Sequence, residues 1–376
     1  MENHMEDPGI VKVSNGIITY AGPADQFHRD YIDLRNHYIC AGFIDIHLHA
    51  IDGYDFMDGS LSSFKNIQQS LPQYGITSFL ATSRTASYEK ISQFLSFSNE
   101  CKSITDASKL LGVHLEGPWI NPLFSGAQKS EYVSHPDQEM AKKWLDLYPG
   151  LIKIVTLAPE LPGSIEVSRL LIAEGTAISA GHTNANLEEM NRAIGAGIKN
   201  ITHCFNAMSP FHHRTPGAAF SALHDDRLTC ELIADGLHVQ KDVVKFLYKV
   251  KTAERIILVS DCTGANRLED GTHFIGNKVI HKKGKEISLA NGTLAGSAIT
   301  LDEAVRYVIK ECGIPIHEAV KMATCNPAKS FSFNRLKGKI ESGYEADLVI
   351  LNRNFEVTKT IVNGNTVYEK KAEGNN

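Results

Sequence analysis

The sequence lacks the features that mark membrane, secreted or nucleic-acid-binding proteins. No apolar run approaches the about 18 residues of a transmembrane helix, so we expect no membrane span. Lys and Arg number 38 against 43 Asp and Glu, and a net charge of −5 argues against a nucleic-acid partner. Residues 1–8 are polar and acidic, without the basic and apolar regions of a secretory signal.

Cysteine is present but is not arranged for disulfide or zinc-ribbon chemistry. The seven cysteines are scattered along the chain, their number is odd, and no CxxC pair occurs. This pattern argues against a disulfide framework and favours a reducing compartment. Together with the missing signal sequence, it predicts a cytoplasmic location.

Short apolar runs alternate with longer amphipathic stretches through the middle of the chain. Hydrophobic residues make up 43% of the 376 residues, which is enough to bury a large core. Eight such repeats over roughly 250 residues predict an α/β fold, a distorted (β/α)8 TIM barrel. The alternative is an open doubly wound sheet, but no GxGxxG motif follows the first run. The predicted strands are Gly42–Leu48, Thr77–Thr82, Leu111–Leu115, Lys153–Ala158, Ala177–Ala180, Asn200–Cys204, Thr229–Ala234 and Arg255–Val259.

Both ends of the chain carry β-hairpin signals. Asn15-Gly16 separates two β-rich runs, and Asn363-Gly364-Asn365 separates two more near the C-terminus. We therefore expect both termini to form one small β-sandwich domain beside the barrel. The predicted boundaries are 1–40 and 335–376 for the β domain and 41–334 for the barrel.

Five of the predicted strands end in residues that can bind metals or carry protons. Catalytic residues of a (β/α)8 barrel lie at the C-terminal ends of its strands. Each residue alone has an ordinary explanation, such as a loop histidine or a capping aspartate. Together they place nitrogen and oxygen ligands without thiolate on one rim, which suits Zn2+, Fe2+, Co2+ or Mn2+. The residues are His47, His49, Glu116, His182, His203 and Asp261.

These motifs resemble those of the amidohydrolase superfamily and, within it, of the N-acetylglucosamine-6-phosphate deacetylases. The resemblance spans about residues 40–350 in the same order. Its Glu-Gly-Pro and His-x-x-Asn-Ala-Met motifs separate these deacetylases from other amidohydrolases, which commonly use a carboxylated lysine as the bridging ligand. The matching segments are Gly42–His49, His114–Trp119, Gly181–Ala185, Thr202–Met208, Ala234–Val239, Val259–Asp261 and Leu294–Ser297.

The resemblance implies a metal centre with two divalent ions per chain, Zn2+ or Fe2+, with Co2+ or Mn2+ also possible. It implies that Glu116 bridges the ions, with His182 and His203 at the principal site. It also implies that His47 and His49 hold the second ion. Asp261 would then be both a metal ligand and the proton carrier.

The resemblance also implies hydrolysis of N-acetylglucosamine 6-phosphate to glucosamine 6-phosphate and acetate, in amino-sugar catabolism and cell-wall recycling. It implies a homodimer in which the loop that carries Arg214 reaches the neighbouring subunit's site. Other residues match positions that contact the substrate in the family. With Arg214, these are Ala127, Gln128, Asn206, Ala207, Asp235, His238, Leu294, Ala295 and Gly296.

The chain departs from the family pattern at two positions, and three alternative functions stay open. Ala50-Ile51-Asp52-Gly53 stands where members often have a glycine-rich loop, and Gln128 stands where some members carry a histidine. The alternatives are deacetylation of another N-acetylhexosamine phosphate, hydrolysis of an acyl-amino acid or cyclic amide, and a non-catalytic barrel protein. The Asn-Ala-Met motif and Arg214 favour a phosphosugar but do not decide the epimer.

Overall fold

The computed structural model describes residues 5–24, 31–104, 106–275, 278–333 and 335–371. No helix in these ranges is long and apolar enough to cross a membrane. In chain order the strands are β1 (Gly9–Ser14), β2 (Ile17–Pro23), β3 (Tyr38–Ala41), β4 (Phe43–Leu48), β5 (Ala50–Ile51), β6 (Tyr54–Asp55), β7 (Ile76–Ser83), β8 (Lys109–Glu116), β9 (Ile152–Leu157), β10 (Ala177–Ala180), β11 (Asn200–Ile201), β12 (Thr229–Leu232), β13 (Ile256–Leu258), β14 (Gly271–Ile275), β15 (Lys278–Lys283), β16 (Glu286–Ser288), β17 (Leu348–Leu351), β18 (Val357–Val362) and β19 (Asn365–Glu369). The helices are α1 (Leu61–Ser70), α2 (Tyr88–Cys101), α3 (Gln138–Leu147), α4 (Ser164–Ala173), α5 (Leu187–Gly195), α6 (Ala218–His224), α7 (Lys241–Lys251), α8 (Leu301–Lys310), α9 (Ile316–Ala323) and α10 (Cys325–Ser330).

Eight parallel strands form the barrel, in the order β4-β7-β8-β9-β10-β11-β12-β13. The two edge strands meet at their C-terminal ends, where the backbone N–H of Asp261 donates to His47 O at 2.9 Å. The Asp261 contact brings the last strand back to the first, so the sheet is a barrel and not an open doubly wound sheet. Strands β11 and β13 have only two and three residues, which makes the barrel irregular on that side. The predicted distorted (β/α)8 barrel is confirmed.

The barrel strands are largely apolar because both of their faces are covered. Every residue of β4 and β7 is buried. The surrounding helices are amphipathic; α5 buries Met190, Ala193 and Ile194 and begins with a capping box formed by Asn186 and Glu189. Each predicted apolar run overlaps one barrel strand, and β10 has the predicted bounds.

The small β domain combines strands from both ends of the chain, as predicted. Its four-stranded antiparallel sheet has the order β19-β18-β17-β3, which pairs the N-terminal strand β3 with the C-terminal strand β17. The β1–β2 hairpin joins through backbone bonds such as Ile18 N to Tyr344 O at 2.8 Å. Ile18, Ala346 and Leu348 form the buried core of this domain. The domain boundaries at 40–41 and 334–335 stay a prediction, and residue 334 lies outside the described ranges.

A small antiparallel sheet of β14, β15 and β16 lies outside the predicted pattern. This sheet is inserted after the last barrel strand. Its β15 segment, Lys-Val-Ile-His-Lys-Lys, is too polar to show the apolar run of a buried strand. Ile280 and Ile287 of the sheet pack with Ala295, so the insertion places the following loop against the barrel rim.

Lys337 joins the β domain to the barrel through a buried ion network. Its side chain is 9% exposed, and its Nζ lies 2.5 Å from Asp347 Oδ2 and 2.7 Å from Glu345 Oε2. Glu345 Oε2 also accepts from Lys109 Nζ, at the start of β8, at 2.7 Å. Lys337 is therefore the cation shared by two carboxylates at the junction of the two domains.

We expect Lys337→Met to lower the free energy of unfolding by about 3 kcal/mol, because it leaves the buried Asp347 carboxylate without its cation. Lys359→Met is the matched control in β18, since the Lys359 partner Glu369 is 61% exposed. That exposed pair predicts a loss below about 1 kcal/mol. Urea denaturation of both variants measures the difference, and equal losses would contradict a structural role for the network.

Candidate active site

A single buried carboxylate stands at the centre of four histidines at the C-terminal rim of the barrel. Glu116, the last residue of β8, is 2% exposed. Its Oε1 lies 3.1 Å from the Nε2 atoms of both His182 and His203 and 3.4 Å from His47 Nε2. Its Oε2 lies 3.3 Å from His49 Nε2. Four imidazoles therefore present the same nitrogen to one carboxylate group.

The opposite ring nitrogens are held by the barrel. His49 Nδ1 lies 3.2 Å from Thr82 O, at the end of the neighbouring strand β7. His182 Nδ1 lies 2.8 Å from Phe124 O, in the loop after β8. A backbone carbonyl can only accept, so in both rings Nδ1 carries a proton, and Nε2 is the nitrogen that faces Glu116 and can bind a metal ion.

The backbone at the strand ends turns through the left-handed region to aim these side chains inward. The φ angles of His182, His203 and Asp261 are 47°, 29° and 47°, which non-glycine residues seldom adopt. All three follow directly on barrel strands or lie a few residues beyond them. Such conformations are concentrated at functional sites, where the surrounding structure holds them in place.

The cluster has the composition and spacing of a metal site. His47, His49 and Glu116 form one group of ligand atoms within 4.8 Å of one another, and Glu116, His182 and His203 form another. Ligands about 2.1 Å from a tetrahedral ion lie about 3.4 Å apart, close to the separations observed around Glu116. The buried Nε2 of His47 has no hydrogen-bond partner among the described residues. These residues therefore fit one or more divalent cations.

Asp261 completes the rim on the side of the first strand. Its Oδ1 lies 3.2 Å from His49 Nε2 and 3.6 Å from His47 Nε2. Burial favours the neutral carboxyl, but the nearby His47 and His49 outweigh it and lower the pKa of Asp261 to about 2. An ionised aspartate beside the cluster can bind a cation or accept a proton.

Glu231, in the middle of β12, is part of the site but lies outside the residues selected from the sequence. Its side chain is 1% exposed, and its Oε2 lies 2.9 Å from His47 Nδ1. The backbone N–H of His203 donates to the same oxygen at 3.2 Å. The signal in the sequence is the glutamate itself, because a carboxylate inside an apolar strand must be compensated by a partner.

The loop after β8 lies over the histidines and brings Gln128 to Glu116. Gln128 Nε2 donates to Glu116 Oε2, and its Oε1 accepts from Thr85 N at 2.9 Å. A Cβ added to Gly126 would lie 3.6 Å from His182 Cε1 and 3.9 Å from Ala207 Cβ. The loop and the segment after β11 therefore meet directly above the cluster.

Several of the residues predicted to contact substrate surround this cluster. Asn206 Nδ2 donates to His203 O at 3.2 Å and to Cys204 O at 3.3 Å, which fixes the turn after β11. Ala207 O accepts from Thr183 N at 3.1 Å. These bonds tie the Asn-Ala-Met segment to the ends of β10 and β11, beside His182 and His203.

Asp235 and His238 form a hydrogen-bonded pair just after β12. His238 Nδ1 lies 2.6 Å from Asp235 Oδ2, and the His238 side chain is 7% exposed. Burial disfavours the imidazolium, but the Asp235 and Asp261 carboxylates outweigh it and raise the pKa of His238 above its ordinary value. The pair therefore offers a fixed donor close to Asp261.

The loop of Leu294, Ala295 and Gly296 also packs against the rim. Ser297 N donates to Asp261 O at 2.9 Å. Gly296, with φ 66°, allows this approach, because an added Cβ would lie 2.2 Å from Thr263 Cγ2. Ala295 shares a small apolar cluster with Ala127, so the loops after β8 and β13 are in contact.

Arg214 is the predicted site residue that the structure does not bring to the cluster. It lies in an exposed loop between β11 and α6. Its backbone N–H donates to His212 Nδ1 at 3.3 Å, and Thr215 N donates to the same atom at 3.1 Å. No hydrogen bond or ion pair joins its guanidinium to another described residue.

Comparisons with known proteins agree with this geometry. The family model of the Amidohydrolase family matches residues 38–367. The chain belongs to the amidohydrolase family. It is similar to the N-acetylglucosamine-6-phosphate deacetylase of Bacillus subtilis (strain 168), with 37% identity over 98% of this chain and 95% of that protein.

Solved structures give the same result for this amidohydrolase. The N-acetylglucosamine-6-phosphate deacetylase of Thermotoga maritima is 33% identical, with a TM-score of 0.87 over 96% of this chain and 95% of that one. A mutant of the corresponding enzyme from Mycobacterium smegmatis, solved with N-acetyl-D-glucosamine 6-phosphate, is 28% identical with a TM-score of 0.90. That match covers 96% of this chain and 94% of the other. The predicted family is confirmed, and the family is metal-dependent.

We expect Glu116→Gln to lose most of the bound metal, because a neutral amide replaces the carboxylate that all four histidines approach. Glu160→Gln is the matched control: this carboxylate follows β9 on the same rim and bonds Asn121 and Thr183 instead of the histidines. Elemental analysis of protein prepared without chelator measures the metal content. Wild-type content in Glu116→Gln would contradict the assignment of this cluster as the metal site.

Proposed function

We propose that this amidohydrolase hydrolyses the acetamide of N-acetyl-D-glucosamine 6-phosphate to D-glucosamine 6-phosphate and acetate. The observation that carries the proposal is the cluster of Glu116 and four histidines beside Asp261, in a chain that matches deacetylases of this substrate over nearly its whole length. Those relatives include a structure in complex with the same phosphosugar. The reaction serves amino-sugar catabolism and cell-wall recycling, in the cytoplasm.

The proposed metal centre holds two divalent ions per chain, Zn2+ or Fe2+, with Co2+ or Mn2+ as alternatives. Glu116 would be shared by both sites, since the histidines of both proposed ligand sets approach its carboxylate: His182, His203 and His47 face Oε1, and His49 faces Oε2. A bound divalent ion supplies Lewis-acid chemistry, lowering the pKa of coordinated water and polarising the amide carbonyl. The first site has Glu116, His182 and His203, and the second has Glu116, His47, His49 and Asp261.

Asp261 is the proposed proton carrier. As the attacking water adds to the acetamide carbon, the Asp261 carboxylate accepts its proton. When the C–N bond breaks, Asp261 returns the proton to the leaving amine, and acetate and the free amino sugar are formed. The lowered pKa of Asp261 supports this role, because the group must be ionised before the reaction begins.

The proposed substrate contacts divide between the carbonyl end and the phosphate end. His238, held by Asp235, is placed to donate to the developing oxyanion, and Gln128 lies on the opposite side of Glu116. Arg214 is proposed to bind the phosphate, which a guanidinium can grip through two hydrogen bonds. The remaining proposed contacts are Ala127, Asn206, Ala207, Leu294, Ala295 and Gly296.

A homodimer explains the exposed position of Arg214. Arg214 is exposed in its own chain, and we propose that its loop reaches the neighbouring subunit's site. The molecular mass in solution tests the dimer. The rival of a non-catalytic barrel is disfavoured because a barrel without activity has no physical need for four histidines and an aspartate around one buried glutamate.

We expect Asp261→Asn to lower turnover by roughly 10^3-fold while the first metal ion stays bound and stability changes little, since the amide keeps the shape and a weak metal contact but cannot accept a proton. If Asp261 only caps the segment after β13, the same change costs about 1 kcal/mol of stability and spares turnover. Turnover, metal content and thermal midpoint, measured on one preparation, separate the two roles.

Substrate choice is tested with N-acetylglucosamine 6-phosphate, its galacto epimer, unphosphorylated N-acetylglucosamine and an N-acetylated amino acid. We expect kcat/KM to fall about 10–100-fold without the phosphate, the value of a lost charge-assisted hydrogen-bond pair. Arg214→Ala should show the same fall on the phosphorylated sugar and none on the unphosphorylated one. Equal turnover of both sugars by the wild type would exclude the phosphate-binding role.

A further inference from the structure

We propose that Glu231 is a positioning residue that fixes His47 as a ligand of the second metal ion. The inference rests on the proposed metal centre. Glu231 occupies the middle of β12, between Cys230 and Leu232, where both neighbours are buried. A carboxylate in such a strand costs free energy unless a partner compensates it. The hydrogen-bond partners of Glu231 therefore explain why a carboxylate is buried at this position.

Both partners of Glu231 belong to the site. Glu231 Oε2 accepts from His47 Nδ1 at 2.9 Å and from the backbone N–H of His203 at 3.2 Å. Because an ionised carboxylate only accepts, His47 Nδ1 carries a proton, which leaves Nε2 as the ring nitrogen that can bind a metal ion. That Nε2 atom is buried and lies 3.4 Å from Glu116 Oε1 and 3.6 Å from Asp261 Oδ1.

The Glu231 carboxylate distinguishes His47 from the other histidines whose Nδ1 atom has a hydrogen-bond partner. His49 and His182 have Nδ1 within hydrogen-bond distance of neutral backbone carbonyls, which any residue at those positions would supply. Among the described residues, Glu231 is the one carboxylate that contacts the Nδ1 atom of a ligand ring, on the side away from the metal site. A carboxylate partner raises the basicity of a metal-binding imidazole, so Glu231 strengthens binding at the His47 site in particular.

A separate metal ion between His47, His114 and Glu231 does not explain the arrangement. These three residues also have ligand atoms within 4.8 Å of one another. However, His114 Nδ1 lies 3.1 Å from Ile46 O, and its Nε2 lies 2.7 Å from Thr156 Oγ1. Both of its nitrogens are thus engaged in hydrogen bonds, and the remaining pair of Glu231 and His47 is a hydrogen bond as well.

The test compares Glu231→Gln and Glu231→Met with wild type by titrating metal-stripped, full-length protein with Zn2+ against a chromogenic chelator. Gln keeps an acceptor oxygen but loses the charge, and Met removes both at similar volume. We expect the affinity for the second ion to fall about 10–100-fold, with the first ion bound nearly as in wild type. Asp302→Asn is the control, because Asp302 is a buried carboxylate that bonds Thr300 instead of a site histidine.

Each negative result of the titration contradicts a different part of the proposal. If wild type binds one Zn2+ ion, the two-ion centre and this inference are both wrong. If wild type binds two Zn2+ ions and Glu231→Gln binds the second ion as tightly as wild type, only this inference is wrong. The same conclusion follows if Asp302→Asn weakens binding of the second ion as much as Glu231→Gln does. Binding of a third ion that Glu231→Met abolishes would also overturn it.

The protonation state of His47 provides a second measurement that needs no folded Glu231 variant. Histidine 15N NMR of Zn2+-loaded wild type, with the His47 signals assigned through His47→Asn, reports which ring nitrogen carries the proton and which binds the metal ion. A His47 ring with the proton on Nδ1 and the metal on Nε2 supports the inference. A ring that binds the metal through Nδ1, with the proton on Nε2, overturns it, because Nδ1 would then be unable to donate to Glu231.

Discussion

The convergence of four imidazole Nε2 atoms on the carboxylate of Glu116 is the constraint on which the rest of the rim depends. Burying nitrogen lone pairs and a carboxylate charge together costs free energy in an interior with little water, unless a cation is bound among them. The histidines come from the ends of three strands, β4, β10 and β11, and Glu116 comes from the end of a fourth, β8, so a closed barrel is needed to bring them within 3.1–3.4 Å of one residue. The fold is therefore a precondition of the site.

The same constraint explains the strained and anchored parts of the rim. Each ring must present Nε2 inward, so Nδ1 of His49, His182 and His47 is held by Thr82, Phe124 and Glu231 respectively. The left-handed backbone at His182 and His203 serves the same purpose, since an extended continuation of the strand would carry those rings past the cluster. The free energy of binding a cation can compensate both the fixed orientation of the rings and the left-handed backbone.

The barrel and the ligand types could be predicted because both follow from short-range patterns in the sequence. Buried parallel strands are continuous apolar runs, and His47, His49 and Glu116 stand at the ends of such runs. Glu231 could not be selected in this way, since its partner His47 is 184 residues away and its role is visible only in the folded barrel. The sheet of β14 to β16 could not be predicted from apolar runs either, because its polar strands cover one edge of the rim instead of forming the core.

Four buried carboxylates at the rim bear on the need for a metal ion. Asp45, Glu116, Glu231 and Asp261 are all at most 8% exposed and lie close to the same histidines. Burial raises the pKa of Asp45 to about 6, so it carries the weakest charge of the four, whereas the other three have lowered pKa values. Neutral imidazoles that bind metal contribute no positive charge, so divalent ions must supply it. One divalent ion against these three ionised carboxylates leaves a net charge of −1 and two leave +1, so at least one such ion is needed to offset the buried negative charge, in agreement with the proposed metal centre.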